Sequence, residues 1–249
     1  MPGTADEVDR HLPREVTVTV TVEARRGLDA MLALSEDLAS RGFVVVPHLA
    51  ARLVRDARHV QEVLDRLDEA GITEIFVVGG DADPPVGDFS DATRLLSAIG
   101  GARTMGVAAY PEGHPLISDA ALDRALRAKL SRCSYAVTQM CFDPAAVGRW
   151  IEHARVLGFD RPVHVGVPGP VDPLRLAKVA TRIGVGPSLR YARKQRGSAR
   201  LLRPGGYRPD QLLADLVRHP IAGLHIYTLG DVAATERWRR VTLERLADA

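Results

Sequence analysis

The chain predicts an α/β fold, and within that class a TIM-type (β/α)8 barrel of which seven strands are evident. Three observations carry this. Short, nearly continuous apolar runs alternate with helical patterns every roughly 25–32 residues, the rhythm of βαβ units. Polar residues recur where those runs end: His48, Asp81, Tyr110, Gln139 and Tyr227–Thr228. In a closed barrel such strand ends converge on one face, whereas strands of an open sheet far from its switch point have no reason to match. Finally, the first strand–helix junction, "VEARRG", lacks the G-x-G-x-x-G of a dinucleotide-binding sheet.

The expected strands are "VTVTVTV" (16–22), "FVVVPHLA" (43–50), "EIFVVGGD" (74–81), "MGVAAYP" (105–111), "YAVTQMCF" (135–142), "PVHVGVPG" (162–169) and "GLHIYTLG" (223–230). Most are apolar throughout, as strands covered on both faces should be. The first alternates Val and Thr, and threonine is a good strand former. Residues 27–42 and 57–71 repeat apolar residues at helical spacing and stop at Gly42 and Gly71. The segment 118–130 opens on a capping serine, and 143–158 and 172–184 place Pro144 and Pro173 in a first turn, where the missing N–H costs nothing. Further helices are expected at 209–218 and 231–247. For the eighth strand two options stand: it lies within residues 1–14, which read poorly as strand, or the chain begins after it. No break in composition divides the chain, so residues 1–249 are expected to form one barrel domain.

Composition narrows the function. The chain has 33 Lys and Arg against 31 Asp and Glu, so no global field draws it to nucleic acid or membrane. Cys133 and Cys141 make no disulfide framework, metal-type Cys/His spacing is absent, and Cys141 reads as a small core residue. No apolar run approaches the ~20 residues that span a bilayer, and "MPGTADEVDRHLP" lacks a signal peptide's apolar stretch. A soluble, cytoplasmic protein with no metal is expected, and a homo-oligomer is left open. The basic stretch from Arg190 to Arg208, with Tyr191 and Tyr207, suits either a solvated loop or an anion-holding one; near-neutral total charge argues against RNA.

Five segments in order, each on an expected strand end, resemble the methylenetetrahydrofolate reductase family. "VPHLAAR" stands for its Pro-His-Leu-Thr, "VVGGD" for its Arg-Gly-Asp and "AAYPEGHP" for its Tyr-Pro-Glu-x-His-Pro. "VTQMCFD" stands for its Thr-Gln-x-x-Phe-Asp and "GLHIYTLG" for its His-Phe-Tyr-Thr-Leu-Asn. The resemblance covers roughly residues 16 to 230 and implies a βα barrel. It also implies reduction of 5,10-methylenetetrahydrofolate to 5-methyltetrahydrofolate in one-carbon and methionine metabolism, with FAD and NADH or NADPH as hydride carriers and a reduced folate as small-molecule partner. Asp81 and Gln139 match its folate-contacting catalytic residues, and Thr21, His48, Tyr110 and His114 line the cofactor site. Gly80 of the Gly-Asp pair, Lys129 near the flavin phosphates and Tyr227 at the closing strand complete the set.

The departures are as informative. The family's Arg before Gly-Asp is Gly79, its Asn-Arg after the last strand is Gly230–Asp231, and the phenylalanine in the helix after the family's own seventh strand is Leu174. No Phe-Glu-x-x-Pro segment supplies the proton-donor glutamate; Glu112 and Glu23 are the only glutamates near strand ends. The FAD motif is therefore degraded, and direct hydride transfer from the nicotinamide is a second route. The alternative function is a folate-binding barrel that lost turnover with its proton donor. A methyltransferase on the same barrel finds no corrinoid or zinc site to support it.

Each residue also has a plainer reading. Asp81 suits a turn in "GGDADPP", while His48 and His114 suit satisfied buried histidines. Gly79–Gly80, which allow close backbone approach, favour a site at Asp81. Tyr110 and Gln139 are bulky polar groups where a pocket should form, and Pro111 and Pro115 stiffen the loop between.

Overall fold

The computed structural model describes residues 3–23, 25–100, 103–172, 174–176, 178 and 209–247. They fall into two compact units, one of residues 1–108 with 128–135, the other of 109–127 with 136–249. The basic stretch Arg190 to Arg208 and most of the helix expected at 172–184 lie outside the described residues.

The first unit opens with helix α1 (Thr4–His11), where the sequence reads poorly as strand. Strands β1 (Val18–Val20), β2 (Val45–Ala50), β3 (Glu74–Val78) and β4 (Thr104–Ala109, to Ala108 in this unit) follow, each paired in parallel with the next. Between them run α2 (Gly27–Ser40), α3 (Ala57–Glu69) and α4 (Ala92–Ile99). All six residues of β2 are buried, as a strand covered on both faces requires. Each large aliphatic side chain so enclosed contributes about 1.5–3 kcal/mol.

The helix ends show how sequence steers the chain into the next strand. Gly42 and Gly71 adopt left-handed φ values of 85° and 68°, which cost glycine nothing. The residue after each then donates its N–H back to the helix, Phe43 to Leu38 (3.2 Å) and Ile72 to Leu67 (2.8 Å). Phe43 and Ile72 are both buried, so the turn that stops the helix also anchors the strand's start. Two helix starts are equally local. The Asp56 carboxylate accepts the His59 N–H at 2.8 Å, and Asp91 accepts those of Thr93 and Arg94 at 2.9 and 3.1 Å. Such a cap contributes typically ~1 kcal/mol. Helix α4 was not among the expected elements, because its eight residues follow a Gly- and Pro-rich loop; Asp91, Leu95 and Leu96 carry its signal.

The second unit holds the end of β4, most of α5 (Asp119–Lys129) and of β5 (Tyr135–Thr138), then α6 (Pro144–Val156), β6 (Val163–Pro168), α7 (Asp210–Leu216), β7 (Gly223–Tyr227) and α8 (Val232–Ala247). Strands β5, β6 and β7 again pair in parallel in chain order, with Ala136 opposite Val163 and Gly166 opposite His225. Asp143 caps α6 by accepting the Ala145 N–H at 2.9 Å, and Pro144 takes the first-turn place. Beyond the helix end, Gly158 takes a left-handed φ of 92°, and Phe159, fully buried, repeats the back-donation by bonding Ala154 O at 2.9 Å.

In the first unit, Gly106 lies mid-strand in β4 because the Tyr135 ring occupies the space a β-carbon would need. The Tyr135 hydroxyl is bonded to Glu74, and burial first, then that partner, raises the phenol's pKa above its ordinary value. Gly106→Ala should therefore cost about 1–3 kcal/mol of stability through overpacking, read as a lower urea midpoint at unchanged m-value.

Candidate functional site

In the first unit most of the expected site residues stand at or near the ends of parallel strands. Thr21 is the first residue beyond β1 and is exposed. His48 is buried within β2, directly opposite Phe76 of β3, with the two rings 4.6 Å apart. Gly79, Gly80 and Asp81 follow β3 without a break. Gly80 has φ 88°, and a β-carbon there would stand 2.9 Å from that of Ala50, so close packing against β2 requires the glycine. Asp81 is exposed at the head of the loop leading to α4. It does not cap that helix, since Asp91 does. Arg52, in the short turn after β2, fastens the loop: its backbone N–H bonds Gly79 O at 2.9 Å and its guanidinium reaches Asp83 at 2.9 Å.

Lys129, at the end of α5, is buried, and desolvation lowers its pKa below the usual lysine range against weaker opposing effects of Cys133 and Asp91. With glycine at 79 and this ammonium buried, the two matched cation positions do not suit a flavin pyrophosphate, which calls for accessible charge.

In the second unit Tyr110 to Gly113 form a turn, closed by the Gly113 N–H to Tyr110 O at 3.0 Å with proline second, a favoured place for it. The Tyr110 and His114 rings meet edge to face at 5.2 Å, and His114 Nδ1 accepts the Leu116 N–H at 3.2 Å. Gln139 follows β5; its N–H bonds Ala109 O at 2.7 Å, and its side-chain Oε1 accepts the Met140 N–H at 2.9 Å. Tyr227, the last residue of β7, donates its hydroxyl to Thr138 O at 3.3 Å, across the space Gly166 leaves by having no side chain. Burial is the main cause that raises the Tyr227 phenol's pKa. Tyr110, Gln139 and Tyr227 thus follow or end β4, β5 and β7 in one unit, tied through Ala109 and Thr138.

Glu112 shows a feature that sequence spacing does not reveal. Its Oε1 accepts the N–H groups of Phe142 and Asp143, at 2.9 and 2.8 Å, just before α6. Its Oε2 is buried with no hydrogen-bond partner. Burial raises this carboxyl above its ordinary range; the two N–H groups oppose that, and Asp143 adds to it. Glu23, the other strand-end glutamate, is instead exposed and paired with Arg26 at 3.2 Å.

Glu112 and Tyr110 line a cleft of about 620 Å³ whose other walls include Asp119 and Asp123 of α5 and Trp150 and His153 of α6. His153 Nε2 lies 2.9 Å from Asp123 across it. Trp150 and the His153–Asp123 pair were not singled out from the sequence, because residues 30 apart on different helices share no local pattern. Leu174, at the family's phenylalanine position, is exposed. Among the described residues no group of three or more His, Cys, Asp or Glu could hold a metal ion, and no helix is long and apolar enough to cross a membrane.

Parallel strands alternating with helices, with polar groups at the strand ends, define a TIM-type α/β protein. A Yersinia pestis DHPS, solved with a pterine-sulfa conjugate, has a similar fold at TM-score 0.50 and 13% identity, covering 98% of this chain and 88% of that one. The carboxyl transferase domain of Rhizobium etli pyruvate carboxylase, solved with 3-hydroxypyruvate, aligns at TM-score 0.48 and 10% identity over 87% of this chain. The chain spans 36% of that protein's length. Residues 3–185 match the methylenetetrahydrofolate reductase family, and the chain belongs to it. That family is one of folate-related reductases and typically binds FAD.

The second unit also holds a pH-sensitive group. Burial, then the charge of His164, lowers the His225 pKa from 6.5 to about 4. The unfolded chain takes up this proton more readily, so folding stability from this group is full above 6.5 and is lost as pH falls toward 4. That loss should reach roughly 3 kcal/mol. His225→Gln should flatten this limb in urea titrations across that range.

Proposed function

We propose that this protein reduces 5,10-methylenetetrahydrofolate to 5-methyltetrahydrofolate, taking hydride directly from NADH or NADPH, within a single βα-barrel domain. One observation supports this above the others: the family's five segments each coincide with the end of a parallel strand. Such ends are where barrel enzymes keep their chemistry.

The reaction needs protonation of the substrate's N10, opening of the five-membered ring to an N5-iminium cation, and hydride addition to the exocyclic carbon. Asp81 is the carboxylate that stabilises the cation, acting most strongly once substrate displaces water from around it. Gln139 offers its amide to the pterin; among the remaining candidates, Thr21, His48 and Gly80 belong to the first unit, and Tyr110, His114 and Tyr227 to the second. Direct transfer is preferred to a flavin route because position 79 is glycine and Lys129 is buried. A flavin, where present, would supply a hydride relay.

The purified protein should be colourless and should oxidise NADH or NADPH only when methylenetetrahydrofolate is added. Bound flavin absorbance would reject the direct route, and tight folate binding without oxidation would favour a binding protein. Asp81→Asn should lower kcat at least ~100-fold with the fold intact by circular dichroism, as loss of one electrostatic stabiliser does elsewhere. Near-normal turnover in that variant removes Asp81 from the mechanism.

A further inference from the structure

Glu112 makes two bonds that a solvated glutamate would not need. Both start in the backbone between β5 and α6, and both end on Oε1. Phe142 and Asp143 are themselves buried, and Asp143 in turn caps α6. On the other side, Glu112 belongs to the tight turn that Gly113 closes on Tyr110. One carboxyl oxygen therefore joins the Tyr110 turn to the segment that leaves Gln139, and the Gln139 N–H bonded to Ala109 O at 2.7 Å closes the loop of contacts.

We propose that Glu112 is a positioning residue for the reductase reaction: by accepting the Phe142 and Asp143 N–H groups it holds Tyr110 and Gln139 as one rigid wall of the site. This rests on the function proposed above and assigns Glu112 no contact with the substrate.

The chemistry of the bond favours that role over proton delivery. Only Oε1 is engaged, while Oε2 has no hydrogen-bond partner and is shut away from solvent. Burial keeps the carboxyl toward its neutral form, so a glutamine, which retains a carbonyl oxygen at the same reach, is its nearest mimic. An alanine removes the acceptor and leaves two backbone N–H groups without it, which also costs stability.

Two variants separate the possibilities. In NADH or NADPH oxidation with methylenetetrahydrofolate, Glu112→Ala should lower kcat by about 10- to 100-fold, since misplacement by ~1 Å is enough for such a loss. Glu112→Gln should stay within about threefold of the wild type. Without substrate, amide exchange at Phe142 and Asp143 should be slow in the wild type and Glu112→Gln and fast in Glu112→Ala. Equal damage in both variants would mean that the proton matters, and it would overturn the proposal. So would a Glu112→Ala protein with normal turnover, or one whose two amides stay protected. A wild type that exchanges as expected yet never oxidises the nicotinamide would instead refute the proposed reaction, and with it any part Glu112 plays there.

Discussion

A parallel strand covered on both faces disfavours polar side chains along its length, and the rest of this structure depends on that constraint. Buried polar groups need hydrogen-bond partners, and interior strands already spend their backbone groups on their neighbours. Strand β2 shows the rule and its limit. All six of its residues are buried, and the one imidazole among them, His48, lies against Phe76 rather than solvent. Polar candidates stand instead at the strand ends, where Asp81, Tyr110 and Gln139 lie within three residues of strands β3, β4 and β5. Glycines then let the ends approach closely. Gly80 fits against Ala50, and Gly166 clears the space that the Tyr227 ring crosses.

Against the methylenetetrahydrofolate reductase family pattern, the chain keeps several strand-end residues, Asp81 among them, and departs at some of the basic ones. Gly79 removes a cation before Gly80–Asp81, Asp231 reverses a charge after the last strand, and Lys129 is buried. These changes bear on phosphate and carboxylate recognition, which depends on accessible guanidinium or ammonium groups. The residues matched to the pterin and nicotinamide, Asp81 and Gln139, are unaltered in type. Altered charged positions beside an unaltered Asp81 and Gln139 are the pattern that the proposed direct nicotinamide reduction would leave.

Much of the fold was legible because its signals are local. Helices α2, α3 and α6 begin and end within two residues of the expected bounds, since caps, first-turn proline and left-handed glycines act over one turn of chain. Strand β1 is shorter than the Val-Thr alternation suggests, because pairing with β2 spans only Val18 to Val20. Propensity says that a residue can extend, while a partner decides whether it does. Helices α1 and α4 escaped notice because eight-residue helices carry little periodicity.

The sequence by itself determined the βα order, the limits of the longer helices and the family, because each rests on residue types at short spacing. Tertiary structure alone decided the state of the site's side chains. Nothing in "YPEGHP" says that Glu112 is buried and Glu23 is not, or that Oε1 would meet two N–H groups some 30 residues along the chain. Nor does a lysine's place at a helix end reveal that Lys129 is enclosed. Burial and hydrogen bonding across distant segments depend on which surfaces pack together, and that packing is set by the summed burial of the whole core rather than by neighbours along the chain.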